Sequence, residues 1–484
     1  MIYILIILIL ALICLAIYDR RQIKHSLWRN YPIVGRLRWI AEALRPKIIQ
    51  YFVESDTDGK PIPRYKRNLV YQRSKGDNET VPFGTELDLY AKGAEWIQHS
   101  MYPKNKLTEE EKEDLTTITI GNYNVKNPYK AKVLNISAMS YGALSSTAVE
   151  SLNRGACEGG FYHNTGEGGI SNYHMNNGDL VWQIGTGYFG CRLKNPEYRY
   201  NSKGEKVLLQ PGDFDINLFR NVVENTPSIK MIEIKLSQGA KPGHGGILPG
   251  VKNTVEIAAI RGLKPWTDVI SPPSHTAFTN NEELLYFIDK LRSISNKPVG
   301  IKMCVGNHQE IKALFFRMER LNITPDFITI DGAEGGTGSA PMEFTNYVGT
   351  PLVDGLEFIS NLCIEYGYRN SKTNPRIAII VSGGVLTGFD IFKYKCLGAD
   401  VCNAARGFML SLGCIQALTC NTGNCPTGVA TNKIRFSKGI VPEEKYKRVH
   451  SFWNGTLEAY LDLCKATGIG TINGFDKKLV IKRK

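Results

Sequence analysis

Three cysteines close together near the C-terminus, Cys414, Cys420 and Cys425, are the residues whose type and spacing point most directly to chemistry. They stand in Gly413-Cys-Ile-Gln-Ala-Leu-Thr-Cys420-Asn-Thr-Gly-Asn-Cys425-Pro426, with five and then four residues between them. Soft thiolates on a short loop that ends in Cys-Pro match iron, and the proline stiffens the loop, so the spacing predicts an iron–sulfur site and electron transfer. Structural zinc normally takes four ligands in close pairs, which this loop does not offer. Inert buried cysteines are the other reading, since eleven in 484 residues is no excess. Three thiolates suit a cluster with one iron missing.

Glycine-rich loops form the second group of candidates. They are Met139-Ser140-Tyr141-Gly142-Ala143-Leu144-Ser145, Thr165-Gly166-Glu167-Gly168-Gly169, Ser237-Gln238-Gly239-Ala240-Lys241-Pro242-Gly243-His244-Gly245-Gly246, Asp331 to Gly338 and Ser382 to Gly388. Glycine lets backbone N–H groups approach a phosphate or a flat ring closely. Gly383, Gly384, Arg406 and Gly407 form the expected phosphate set. Gly185-Thr-Gly187-Tyr-Phe-Gly190 formally fits a dinucleotide fingerprint, but Cys191-Arg192-Leu193-Lys194-Asn195-Pro196 does not open a helix. Direct use of a nicotinamide cofactor gains no support.

The elements that would position these loops are legible as eight β-branched runs: Val133 to Ser140, Gly160 to Asn164, Val181 to Gly185, Met231 to Leu236, Val299 to Met303, Phe327 to Asp331, Ile377 to Val381 and Asp400 to Ala404. Longer stretches, several with helical period, separate them. Eight such units predict an α/β protein with a (β/α)8 TIM-type barrel, and a doubly wound sheet is the alternative. Asp268 to Pro273, with two prolines, reads as part of a long loop rather than a ninth strand. In a barrel the chemistry sits where strands run into the following loops, and the glycine-rich segments fall there.

Met1 to Tyr18 is almost wholly apolar and is followed at once by Asp19-Arg20-Arg21 and Lys24. At 1.5 Å per residue such a helix is about 27 Å long, enough for one membrane crossing. A cleaved signal peptide would carry positive charge before the apolar run. The expectation is a single-pass transmembrane anchor with the catalytic body in the cytoplasm, where thiols stay reduced. The net charge of +13 is scattered rather than gathered into a basic, aromatic-laced run, which favours an anionic membrane surface or acidic partner over nucleic acid. The expected organisation is an anchor at 1–18, an N-terminal extension at 19–129, the barrel at 130–413, the cluster loop at 414–433 and a C-terminal helical extension at 434–484.

Taken together, Met139 to Ser145, Asn164 to Gly169, Ile232-Glu-Ile-Lys235 running into Gln238 to Gly243, Gly332 to Gly338 and the three-cysteine loop resemble the FMN-binding synthase domain of glutamate synthase, in the same order, over roughly 130 to 433. The anchored, short form resembles a stand-alone bacterial subfamily. The resemblance implies FMN at the barrel mouth, held by Met139, Ser140, Tyr141, Gly142, Lys235, Gly335, Gly336, Gly383, Gly384, Arg406 and Gly407. It also implies a [3Fe–4S] cluster on Cys414, Cys420 and Cys425. The implied activity is that of an oxidoreductase acting on CH–NH2 donors: electrons pass from the cluster to FMN and reduce the imine of 2-oxoglutarate and ammonia to L-glutamate.

Within that reading Lys235 faces the pyrimidine side of the flavin and Glu167 handles a proton or ammonia. Lys241 and Arg261 meet a dicarboxylate, and Gln238 completes the substrate cradle. Two positions depart from the family pattern. Ile247 stands where synthases carry a substrate-facing glutamine, and Asn421 where the cluster loop commonly has histidine. The chain shows no resemblance to an amidotransferase, so free ammonia, a separate subunit or another amine is expected to supply nitrogen. Ferredoxin or a membrane redox partner is the expected electron donor. A flavin oxidoreductase acting on another oxo acid or imine, and a membrane redox carrier or sensor without turnover, are the alternatives.

Overall fold

The computed structural model describes residues 2–200 and 206–484, so Met1 of the expected anchor and residues 201–205 lie outside the described residues. The chain forms two compact units, Met1–Arg67 and Asn68–Lys484.

In the first unit a 20-residue helix, Ile2–Arg21, carries a run apolar and long enough to cross a membrane. Most of its apolar side chains are exposed, Leu15 and Ala16 being half-buried. Asp19 is the exception and is fully buried: its Oδ2 accepts from the backbone N–H of Ile33 at 2.9 Å, and its carboxylate pairs with Arg36. That pair closes the turn between the first helix and the helix Arg36–Ile48.

The second unit is built on a closed barrel of eight parallel strands, which excludes the doubly wound sheet. These barrel strands are β1 (Leu134–Ile136), β2 (His163–Asn164), β3 (Leu180–Ile184), β4 (Ile229–Lys235), β5 (Val299–Met303), β6 (Phe327–Asp331), β7 (Ala378–Ser382) and β8 (Val401–Ala404). Closure comes from β8 on β1, with Ala404 opposite Ile136. All eight coincide with the runs read from the sequence, although β1 and β2 are shorter. Gly160, expected in β2, is instead the left-handed cap of helix Ser146–Gly159, at φ 63°, a conformation that costs glycine little. Val269–Ile270 pairs antiparallel with Ile247–Leu248 in the long excursion after β4, as part of a loop and not of the barrel.

The outer layer is uneven. Helices Ser146–Gly159, Ile216–Asn225, Asn281–Ser295, His308–Leu321, Leu352–Glu365 and Gly388–Cys396 lie between successive strands, but β2 and β3 are joined through a single 3-10 turn, Asn172–His174. The helix after β8, Arg406–Ser411, is six residues long. The long helix Pro442–Ala466 completes the wall there, burying Val449, Phe452 and Tyr460. It lies close because two neighbouring helices carry glycine at the contact. A Cβ on Gly155 would stand 2.4 Å from Val449 Cγ1, and one on Gly388 2.5 Å from the backbone nitrogen of Tyr460. Trp453 Nε1 donates to the carbonyl of Leu134 at 2.9 Å, tying this helix to β1.

The barrel interior is polar where such interiors are usually filled by branched apolar side chains. Glu233 on β4 accepts from Asn164 Nδ2 of β2 at 2.8 Å, from Gln183 Nε2 of β3 and from Thr329 Oγ1 of β6 at 2.7 Å. One turn of the pleat higher, Lys302 of β5 lies beside Lys235 in register and pairs with Asp331 Oδ2 of β6 at 3.4 Å. Unpaired buried charge is costly, and here each carboxylate is met by donors from other strands.

Candidate active site at the barrel mouth

Lys235 is the last residue of β4, so the strand itself delivers its ammonium to the mouth. Its Nζ stands 2.9 Å from Oε1 of Glu167, in the loop after β2; the two side chains are 10% and 19% exposed. Burial raises the Glu167 carboxyl pKa, but Lys235, Arg261 and Lys241 pull harder, and the net position is below the usual carboxylate value. Glu167 is an anion among three cations.

That carboxylate needs room, which two glycines provide. A Cβ on Gly185 would meet Oε2 of Glu167 at 2.6 Å, and one on Gly246 would meet Oε1 at the same distance. The Gly185-Thr-Gly187 segment, which imitates a dinucleotide fingerprint, follows β3 and houses Glu167.

Arg261 ends the short helix Val255–Arg261 and is 5% exposed. Its Nη2 donates to the carbonyl of Tyr141 at 3.1 Å, its guanidinium lies 5.1 Å from the ring centre of Phe189, and its Nε has no partner among the described residues. Burial pushes Arg261 down to about 10, against the attraction of Glu167. Lys241 is 2% exposed and donates from Nζ to the carbonyl of Ser339 at 2.9 Å. Burial and then Lys235 bring it down to about 8.

The loops interlock through close backbone approach. At Gly239 a Cβ would fall 1.8 Å from the carbonyl oxygen of Gly332, and its N–H donates to Asp331 Oδ2 at 2.9 Å. Thus the loops after β4 and β6 share one wall. Gln238, half-buried, begins that turn; its carbonyl accepts from the N–H of Lys241 at 3.3 Å. Met139 and Tyr141 are buried in the loop after β1, with Ser140 and Gly142 beside them; the Ser140 carbonyl accepts from Leu144, and Tyr141 donates its hydroxyl to Glu256 Oε2 at 2.5 Å.

The expected phosphate residues gather in part. Arg406 Nη2 donates to the carbonyl of Glu334 at 2.8 Å, and a Cβ on Gly336 would lie 3.2 Å from Arg406 Cδ. Gly335 closes the same turn by donating to Gly332 at 2.8 Å. Gly383 abuts Gly332, whereas beside Gly384 no described atom lies within 4 Å of where a side chain would stand. Gly407 packs its bare α-carbon on Phe452, where a Cβ would come to 3.0 Å.

The cysteine loop lies beyond β8. Cys425 is buried; Cys414 and Cys420 are partly exposed. Burial alone would raise the Cys425 thiol, but N–H groups of Thr427, Val429 and Ala430 and the Thr427 hydroxyl bring it below its ordinary value. Donors aimed at a sulfur stabilise its thiolate, whereas burial holds the Cys420 thiol above its ordinary value; soft sulfur donors are the type that suits iron. Among the described residues no three His, Cys, Asp or Glu side chains converge as a ready metal site.

Several residues escaped the sequence reading. Lys252, 4% exposed, donates to the carbonyls of Ala143 at 2.9 Å and of Cys420 and Ala430 at 3.4 Å, joining the cysteine loop to the loop after β1. Asn432 adds bonds to the carbonyls of Gly142 and Lys252. His275 bridges Tyr188 Oη, 3.1 Å from Nδ1, and the carbonyl of Lys235, 2.9 Å from Nε2. Because that hydroxyl already accepts from Thr276 and Ala277, His275 is the Nε2–H tautomer and steadies the end of β4. Nothing in the spacing marks these residues. Glu233 and Lys302 were readable as lone charges inside apolar strands.

The conserved region in glutamate synthase matches residues 73–470, a longer stretch than the 130 to 433 expected from the motifs. The extra length includes helix Pro442–Ala466, which carries no chemical motif. A glutamate synthase large subunit-like protein, YerD, of Bacillus subtilis (strain 168) is 35% identical over 97% of this chain and 92% of its own length. An archaeal glutamate synthase [NADPH] of Methanocaldococcus jannaschii is 33% identical over 70% of this chain, which spans 59% of that relative. A ferredoxin-dependent glutamate synthase of Cyanidium caldarium is 33% identical over 63% of this chain and 19% of its own.

Proposed function

The chain belongs to the glutamate synthase family of oxidoreductases, and we propose that it is a membrane-anchored FMN and iron–sulfur enzyme that aminates 2-oxoglutarate with ammonia to L-glutamate. The observation that carries this reading is the meeting of Glu167, Lys235, Lys241 and Arg261 at one end of the barrel. Three cations around one carboxylate suit a doubly charged oxo acid and an amine nucleophile together.

FMN would lie against Met139, Ser140, Tyr141 and Gly142 and under Lys235, with its phosphate among Gly335, Gly336, Gly383, Gly384 and Arg406 and near the start of the helix at Gly407. The glycine-lined corner beside Arg406 and the open space at Gly384 fit such a group. When bound, FMN supplies the hydride. Cys414, Cys420 and Cys425 would hold a [3Fe–4S] cluster that receives electrons from ferredoxin or a membrane redox partner.

The remaining chemistry belongs to the chain. Arg261 and Lys241 hold the carboxylates of the oxo acid, with Gln238 beside them. Glu167, kept ionised by its neighbours, holds ammonium by charge at Oε2, the oxygen lying against Gly185, until ammonium loses a proton to solvent. The freed ammonia adds to the ketone carbon, and loss of water leaves the imine. A hydride at that carbon and a proton at nitrogen give glutamate. Lys235 fixes Oε1 of Glu167, so the oxygen that holds ammonium keeps one orientation.

Helix Ile2–Arg21 would anchor the enzyme with Arg20 and Arg21 on the cytoplasmic side. Anaerobic purification followed by flavin, iron and sulfide analysis tests the cofactor reading; stoichiometric FMN supports it, and a chain that never retains flavin overturns it.

One observation favours a second reading. Ile247, where synthases carry glutamine, is half-buried and pairs with Ile270 in an apolar ribbon. A site with that wall would suit a flavin oxidoreductase acting on a less polar oxo acid or imine.

A further inference from the structure

Helix Arg36–Ile48 leaves an apolar stripe uncovered. At about 100° per residue, Leu37, Ile40, Leu44 and Ile48 fall within one arc, and they are 61%, 55%, 45% and 47% exposed. Arg38 and Arg45 border the arc on one side and Lys47 on the other, while Glu42 faces away and pairs with Arg38 at 2.8 Å. Tyr51, Phe52 and Val53 continue the apolar surface past the helix end, at 50%, 85% and 69% exposure. A globular helix buries such a face in its core. This helix buries none of its residues.

The same unit joins the stripe to the apolar helix Ile2–Arg21. Asp19, in the last turn of that helix, pairs with Arg36, the first residue of helix Arg36–Ile48. Between them stands an aromatic group: Trp28 and Trp39 meet edge to face at 5.2 Å, His25 lies 4.2 Å from Trp28, and the Arg36 guanidinium is 4.3 Å from the Trp28 ring. Tryptophan with arginine just past an apolar span is the composition of a membrane–water boundary.

We propose that helix Arg36–Ile48 lies in the plane of the membrane surface. Its apolar stripe sinks into the boundary between headgroups and acyl chains, and Arg38, Arg45 and Lys47 meet anionic lipid headgroups. The occupant of the stripe is lipid because the stripe continues a membrane-competent helix and its borders are basic. The inference concerns placement on the bilayer and stands apart from the proposed reaction.

The test uses the full chain in nanodiscs of mixed phosphatidylglycerol and phosphatidylcholine. A ketone-bearing residue coupled to a nitroxide replaces, one at a time, Leu37, Arg38, Ile40, Glu42, Leu44, Arg45 and Ile48, leaving the cysteines untouched. Accessibility to oxygen and to a water-soluble nickel chelate is then read by electron paramagnetic resonance. Labels at 37, 40, 44 and 48 should show oxygen-to-nickel ratios several-fold above those at 38, 42 and 45, with the contrast weakened in pure phosphatidylcholine. Equal nickel access at all seven positions would overturn the proposal, and so would exclusion of both reagents from the stripe, which would mean that protein covers it. A contrast indifferent to lipid charge would overturn the headgroup contacts. A label at Leu8 reports separately on the crossing of helix Ile2–Arg21, so failure of the anchor and failure of the surface helix are distinguishable.

Discussion

Oε1 of Glu167 stands 2.9 Å from Nζ of Lys235, joining the loop after β2 to the last residue of β4. The pair leaves Oε2 as the carboxylate oxygen against Gly185. Glu167→Gln keeps the shape and removes the negative charge that holds ammonium. We expect turnover to fall by about 10²-fold or more with flavin retained, measured as steady-state rate and bound FMN per chain. The sign of the stability effect follows from the lowered carboxyl. Its contribution is present above the ordinary glutamate value of 4.5 and is lost as pH falls through the folded value, so Glu167→Gln should flatten acid unfolding in that window.

Lys241, brought down to about 8, loses its charge as the solution turns mildly alkaline. A dicarboxylate then meets one cation fewer, and KM for 2-oxoglutarate should rise above about pH 8 while kcat changes less. Lys241→Arg should hold KM flat through that range. Stability runs the other way: the unfolded lysine, at 10.5, binds more protons than the folded one between about 8 and 10.5, so stability rises with pH across that interval.

Gly239→Ala places a methyl where the Gly332 carbonyl oxygen lies, 1.8 Å away, and neither backbone has free space. A cost of about 1–3 kcal/mol is expected from overpacking, with weaker flavin retention as the two loops part. Gly306→Ala, with no described atom within 4 Å of the added carbon, is the control and should leave both thermal stability and flavin content unchanged.

Lys252 gives its ammonium to three carbonyls, two in the cysteine segment and one after β1. Lys252→Met leaves those oxygens buried without their donor. Iron and sulfide per chain should drop with FMN kept, by elemental analysis and absorbance. Loss of flavin with iron kept would contradict the bridging role.

The architecture was legible because most of the eight strands are β-branched runs, broken only by lone polar residues such as Glu233 and Lys302, that lead into glycine-containing loops. Their order and the loop status of Asp268 to Pro273 could be read from that pattern, whereas the roles given to Glu167, Lys235, Lys241 and Arg261 followed only from the family resemblance. Other features were not, for identifiable reasons. Gly160 ended a helix because a left-handed cap and the start of a strand look alike in sequence. Lys252 and His275 act through backbone carbonyls, which leave no residue-type signature. The packing of helix Pro442–Ala466 depends on Gly155 and Gly388, far apart in the chain.

Ile247→Gln restores a hydrogen-bonding group to the ribbon after β4. If the acceptor is 2-oxoglutarate, its KM should fall by about 10-fold, the worth of one buried hydrogen bond of about 1–1.5 kcal/mol. If the acceptor is a less polar oxo acid, the change should instead lower activity towards that compound, as a substrate series would show.

The most direct measurement is a single turnover. Anaerobically purified protein is photoreduced, mixed with 2-oxoglutarate and ammonium, and followed by flavin absorbance and glutamate assay. Flavin reoxidation with one glutamate formed per reduced flavin is the predicted result. Reduced flavin that persists in the presence of both substrates, with no glutamate formed, would contradict the synthase reading.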